Sequence, residues 1–133
     1  MLNFEELNYL AIILAAVAKF MVGGLWFSKF LFGESWMEEV GLKVEELTNP
    51  TKPMIIAFLG GLLVAFSMAI LLNILALDLR TSFAVVVILA IGISAAQVAQ
   101  SFAFEGRSMR LYLIYATQTL AEFLVVAAIL LLM

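Results

Sequence analysis

A chain of 133 residues that is 65% hydrophobic and 13% charged departs far from a soluble domain, where about 45–50% apolar and 25% charged residues are usual, and at this length it cannot bury the excess. Its net charge of −3 comes from seven scattered Lys and Arg set against ten acids, which gives no basic stripe for nucleic acid. With neither cysteine nor histidine, disulfides, thiolate metal sites, histidine zinc motifs, cysteine nucleophiles and Ser-His triads are excluded; no cofactor is expected, and the lipid bilayer is the expected partner.

About 20 mainly apolar residues form a helix long enough to cross a hydrocarbon core of about 30 Å, and four stretches qualify. The first, residues 7–27, holds one charge, Lys19. It follows the acids Glu5 and Glu6 and is too long for the apolar part of a cleaved signal, so it reads as a span. Residues 34–47 then alternate Trp36, Met37, Val40, Val44 and Leu47 with Glu38, Glu39, Glu45 and Glu46. That pattern predicts a short amphipathic helix at the membrane interface, anchored by Trp36 and broken at Gly41, with Asn49-Pro50 starting the next span. Residues 54–77 and 81–104 contain no charge. The link Asp78-Leu79-Arg80 predicts a tight antiparallel hairpin between them, with Thr81 or Ser82 as N-cap. Residues 111–133 form the last span, interrupted only by Glu122.

Unpaired backbone is not tolerated in lipid, and barrel-type alternation is missing, so all four spans are expected to be helices. The expected fold is all-α: one membrane domain over residues 1–133, a four-helix transmembrane bundle running up-down-up-down. Lys29, Lys43, Lys52, Arg107 and Arg110 fall in the first and third connections, against Arg80 alone elsewhere. Retention of Lys and Arg on the cytoplasmic side therefore places both termini outside, and the acids of the first connection do not reverse this.

Small residues recur every four positions in the first span (Ala11, Ala15, then Lys19 and Gly23) and the second (Ala57, Gly61, Ala65, Ala69, leading to Asn73). These are packing seams, since close backbone approach drives association in lipid; they fit contact within the chain or a homo-oligomer. Lys19 and Glu122 each cost roughly 2.5–3.5 kcal/mol or more if left alone in the hydrocarbon. Their expected depths of about 18 Å and about 10 Å below the outer surface leave a gap that a lysine stem largely covers. Two readings are open: an ion pair that fixes the first span against the fourth, or a proton- or substrate-binding pair in a polar cavity. Tyr115, Gln118 and Thr119 adjoin the face of Glu122, and Ser94, Gln97 and Gln100 belong to the third span. The candidate intramembrane polar site is thus Lys19, Gln97, Gln100, Tyr115, Gln118 and Glu122. The amides serve either as neutral glue, about 0.6 kcal/mol each, or as a wet path to Glu122. A carboxyl beside Lys19 stays ionised, whereas an unpartnered one in apolar surroundings takes up a proton more easily.

The aromatic cluster Trp26, Phe27, Phe30, Phe32 and Trp36 reads as an interfacial belt, and Glu105-Gly106-Arg107 as a compact turn. Phe30-Leu31-Phe32-Gly33 and Phe102-Ala103-Phe104-Glu105-Gly106 form a weak repeat, for which aromatic, glycine-containing helix ends at an interface are the plainer explanation.

Two stretches carry a family resemblance: Leu25-Trp26-Phe27-Ser28 through Leu31-Phe32-Gly33 to Trp36-Met37, and Phe104-Glu105-Gly106-Arg107 followed by Leu111 to Ile114. With the order of spans and loop lengths, they make the chain resemble the small four-span membrane proteins grouped as domain of unknown function 1761. The resemblance implies the fold and no activity, and gives Trp26, Ser28, Phe32, Gly33, Trp36, Glu105, Gly106 and Arg107 as motif positions. This chain departs from that pattern in Lys29, where proline is usual, and in the charges Lys19 and Glu122, in spans that are commonly neutral. The sequence therefore supports a membrane protein of unidentified biochemical function, either a small transporter or proton-coupled permease with an unspecified small-molecule substrate, or a structural or accessory protein. An enzyme is not expected, because carboxylates, amides and one lysine leave few catalytic routes.

Overall fold

In the computed structural model, which describes residues 3–46 and 48–133, the described chain is helical and has no strand. A 3-10 turn (Phe4–Glu6) leads into α1 (Tyr9–Trp26), whose first turn is capped by Asn8 Oδ1 accepting from the Ala11 N–H at 3.0 Å. Helix α2 (Gly33–Val40) ends where Gly41 takes the left-handed conformation, φ 76°, which a glycine adopts without steric cost. A second 3-10 turn (Val44–Glu46) follows; Leu47 lies outside the described residues, as does the Val44 side chain.

Helix α3 (Thr51–Leu75) starts ahead of its apolar run, because Asn49 Oδ1 accepts from the Thr51 N–H at 3.0 Å and Pro53 falls in the first turn, where a missing N–H does no harm. The third span is one continuous helix of three parts: α4 (Leu79–Val87), a π-helical segment (Ile88–Ala95) and α5 (Ala96–Glu105). Its N-cap is Asp78, not the expected Thr81 or Ser82: the carboxylate accepts from the Thr81 N–H at 3.3 Å. The hydrogen bonds from Thr81, side chain and then backbone, hold the Asp78 carboxyl below its ordinary range. Helix α6 (Met109–Leu132) is capped by Ser108, whose Oγ accepts from the Leu111 N–H at 3.0 Å.

Helix α1 is central. It packs on α3 along one side and on α6 along the other, while the third span packs on α6. The contacts are made by small residues, as close packing in lipid requires: Ala11, Ala15 and Ala16 of α1, Gly61, Ala65 and Ala69 of α3, and Ala127 of α6 are buried, and Ala57 is not. The tight hairpin of the second and third spans is not formed. Helices α3 and α4 are joined by Ala76, Leu77 and Asp78 yet make almost no contact with each other. Ala76, at φ 46°, closes α3 in a left-handed conformation, and the small-residue face of α3 is already taken by α1.

Four helical stretches, Tyr9–Trp26, Thr51–Leu75, Leu79–Glu105 and Met109–Leu132, are long and apolar enough to cross a membrane. At most 28% of the residues in the most apolar part of any of them are fully buried within the chain, so each keeps side chains open to lipid or another chain. This is consistent with a multi-pass membrane protein.

Candidate functional site

Lys19 of α1 and Glu122 of α6 each stand ten residues from one end of their helix, the N-terminal end of α1 and the C-terminal end of α6. Because the two helices pack side by side, these equal offsets bring the charges level: at about 1.5 Å per residue Glu122 lies about 15 Å from its helix end, deeper than the expected depth of about 10 Å, and the gap in depth closes. Lys19 Nζ lies 2.6 Å from Glu122 Oε2. The other carboxylate oxygen accepts from Gln118 Nε2, also at 2.6 Å, one helical turn away on α6. Glu122 is buried and the Lys19 side chain keeps 19% of its surface accessible.

Two glycines adjoin this group. A Cβ on Gly61 of α3 would lie 3.5 Å from Lys19 Cδ, and one on Gly23 of α1 would lie 3.7 Å from Gln118 Nε2 and 3.9 Å from Glu122 Oε1. The seams of small residues therefore pass directly beside the charges. Among the described residues no buried side-chain nitrogen or oxygen lacks a hydrogen-bond partner. Five clefts of about 220 to 410 Å³ open elsewhere on the molecule, and none is lined by Lys19, Gln118 or Glu122.

Gln97 and Gln100 do not join the centre; both are exposed on α5. The third span packs on α6 and makes almost no contact with α1, so these amides stay clear of the charges. Tyr112 Oη donates to the carbonyl of Ala95, the last residue of that segment, at 2.8 Å. Tyr115 belongs to a second cluster. Its hydroxyl accepts from Trp36 Nε1 at 2.9 Å, its ring meets those of Phe27 and Phe102 edge-on, and the Arg107 guanidinium lies 5.6 Å from its centre. Thr119 is spent within α6, donating to the Tyr115 carbonyl.

This second cluster joins the two motif stretches. Trp26 Nε1 donates to the Ile114 carbonyl at 3.0 Å and its ring packs at 5.2 Å from that of Phe32. Ser28 Oγ donates to the Leu25 carbonyl, closing α1, and the Ser28 carbonyl accepts from the Gly33 N–H at 2.9 Å. Gly33 has no room for a side chain: a Cβ there would fall 2.5 Å from the Phe27 carbonyl oxygen. Gly106 turns the chain at φ 68°, and Arg107 stacks at 4.3 Å over Phe102 and lies 3.9 Å from Glu105. The repeat suggested by the two stretches is not a structural one, because Gly33 opens a helix whereas Gly106 closes one in the left-handed region.

Sequence reasoning missed the polar network beside it. Glu39 of α2 accepts from Ser108 Oγ at 2.6 Å and faces Arg110 at 3.4 Å, and Arg110 donates to Ser35 Oγ at 2.8 Å. Opposite charge in the first and third connections is the signal that points to it, but the amphipathic pattern of α2 does not say that its polar face meets α6.

A family model described as "Protein of unknown function (DUF1761)" matches residues 10–131. No curated protein and no solved structure matches the chain.

Proposed function

The chain belongs to the DUF1761 family, and from that premise we propose that it is a structural or accessory membrane protein, a single membrane domain without a catalytic role. In this reading both termini lie outside, α2 lies at the cytoplasmic face, and the chain self-associates through its uncovered helix faces. The observation that carries it is the Lys19–Glu122 contact at 2.6 Å, with the second carboxylate oxygen taken by Gln118. A charge pair held in this way, with one partner on each carboxylate oxygen, ties α1 to α6.

The test is stability in detergent. Glu122→Leu alone strands Lys19 and should cost about 3–5 kcal/mol, whereas Lys19→Met with Glu122→Leu should restore most of the loss. A double variant as unstable as the single one would count against a purely structural pair. The transporter or proton-coupled permease reading keeps one observation in its favour, the accessible fifth of the Lys19 side chain. It predicts flux into proteoliposomes that is abolished by Lys19→Met with Glu122→Gln.

A further inference from the structure

The cleft between α2 and α6 is about 280 Å³ in volume and is lined by Phe32, Ser35, Arg110, Leu113, Ile114 and Thr117. Its polarity is graded. Arg110 is the second residue of α6, with its side chain 53% accessible, and it donates to Ser35 Oγ at 2.8 Å. Thr117 stands seven residues further along, roughly 10 Å towards the middle of the helix. Its hydroxyl is consumed by the carbonyls of Leu113 at 2.6 Å and Ile114 at 3.2 Å, and the Ile114 carbonyl also accepts from Trp26. The cleft thus has a charged mouth at the end of a membrane-spanning helix and, deeper in, walls whose polar groups are already paired. That is the profile of an amphiphile standing in one leaflet.

The charges at the mouth select the headgroup. Glu38 Oε2, on a side chain that is 75% accessible, lies 3.9 Å from Arg110 Nη1, and Glu39 Oε1 lies 3.4 Å from it. Both contacts are long, so the guanidinium keeps donors for a phosphate. The two carboxylates repel further negative charge, and Glu38 offers an acceptor to a cation. We propose that this cleft binds one glycerophospholipid with a phosphate–ammonium headgroup: phosphate on Arg110 and Ser35, ammonium on Glu38, and one acyl chain against Leu113 and Ile114. The assignment rests on the membrane location of the chain and is independent of whether Lys19 and Glu122 act structurally.

The two tryptophans of the chain report on it. Trp26 contacts Phe32 and Ile114 of the cleft wall, and Trp36 adjoins Ser35. In dodecyl maltoside, phosphatidylethanolamine brominated on its acyl chains should quench their fluorescence saturably, at lower concentration than brominated phosphatidylglycerol or diacylglycerol. Arg110→Gln should raise the half-quenching concentration at least fivefold, Arg80→Gln at the opposite end of the bundle should leave it unchanged, and Thr117→Phe, which fills the cleft, should abolish saturation while helicity is retained. Quenching by diacylglycerol or phosphatidylglycerol equal to that by phosphatidylethanolamine would overturn the proposal. So would saturable quenching that survives Thr117→Phe, which decides the matter even where Arg110→Gln fails to fold.

Discussion

Gly33 and Gly61 are both buried, but only Gly33 is kept small by its neighbours. At Gly33 the obstacle is backbone: an added Cβ would meet the Phe27 carbonyl oxygen at 2.5 Å and the Ser28 carbonyl oxygen at 2.7 Å, in a turn that holds α1 to α2. At Gly61 the neighbour is the stem of Lys19 at 3.5 Å, ordinary contact. Gly33→Ala should therefore lower stability in detergent by about 1–3 kcal/mol, as overpacking does, and Gly61→Ala should be close to neutral; thermal melts of both variants check the contrast. Lys19, Glu122 and Gln118 were legible in the sequence, because a charge in an apolar run demands a partner and an amide four residues away on the same helix lies within reach. The steric need at Gly33 was not, since it depends on where a neighbouring carbonyl comes to rest.

At the level of elements, the spans and the break at Gly41 were readable from hydropathy and turn chemistry. The π-helical segment was not. Nothing in Ile88-Leu89-Ala90-Ile91-Gly92-Ile93-Ser94-Ala95 distinguishes it from an α-helical run, and an i→i+5 winding is held in place by tertiary partners, not by local propensity. The hydroxyl of Tyr112 is such a partner, through its 2.8 Å bond to the Ala95 carbonyl. Tyr112→Phe keeps the edge-on contact with Phe102 and removes only that donor, at a cost of about 0.5–1.5 kcal/mol. Faster amide deuterium exchange over residues 96–99 than in the parent chain is the expected result, and unchanged exchange there would show that the winding does not depend on Tyr112.

For the whole molecule, the spatial order of the helices is α3, α1, α6, third span, and chain order could not give it. A three-residue link brings two helix ends together without making their axes pack, and a stripe of small residues does not name its partner. Between α3 and the third span a cleft of about 320 Å³ stays open, floored by Phe123 of α6. The proposed orientation is a further property of the whole chain, because it follows from charge summed over connections and not from any one contact. Five of the seven basic residues lie in the two connections at one end of the bundle or in the helix turns that border them, Arg80 lies at the other end, and Lys19 is within a span. Acids add little to that balance, so the glutamates around α2 do not offset it. Since the chain contains no cysteine, single cysteines report sidedness without background. Asn3 and Lys43 are both exposed and stand at opposite ends of the bundle. Asn3→Cys should react with a membrane-impermeant maleimide on intact cells, and Lys43→Cys only after the membrane is opened. The reverse pattern would invert the orientation while leaving the helix packing intact, and equal labelling of both on intact cells would mean that the charge difference does not fix a single direction of insertion.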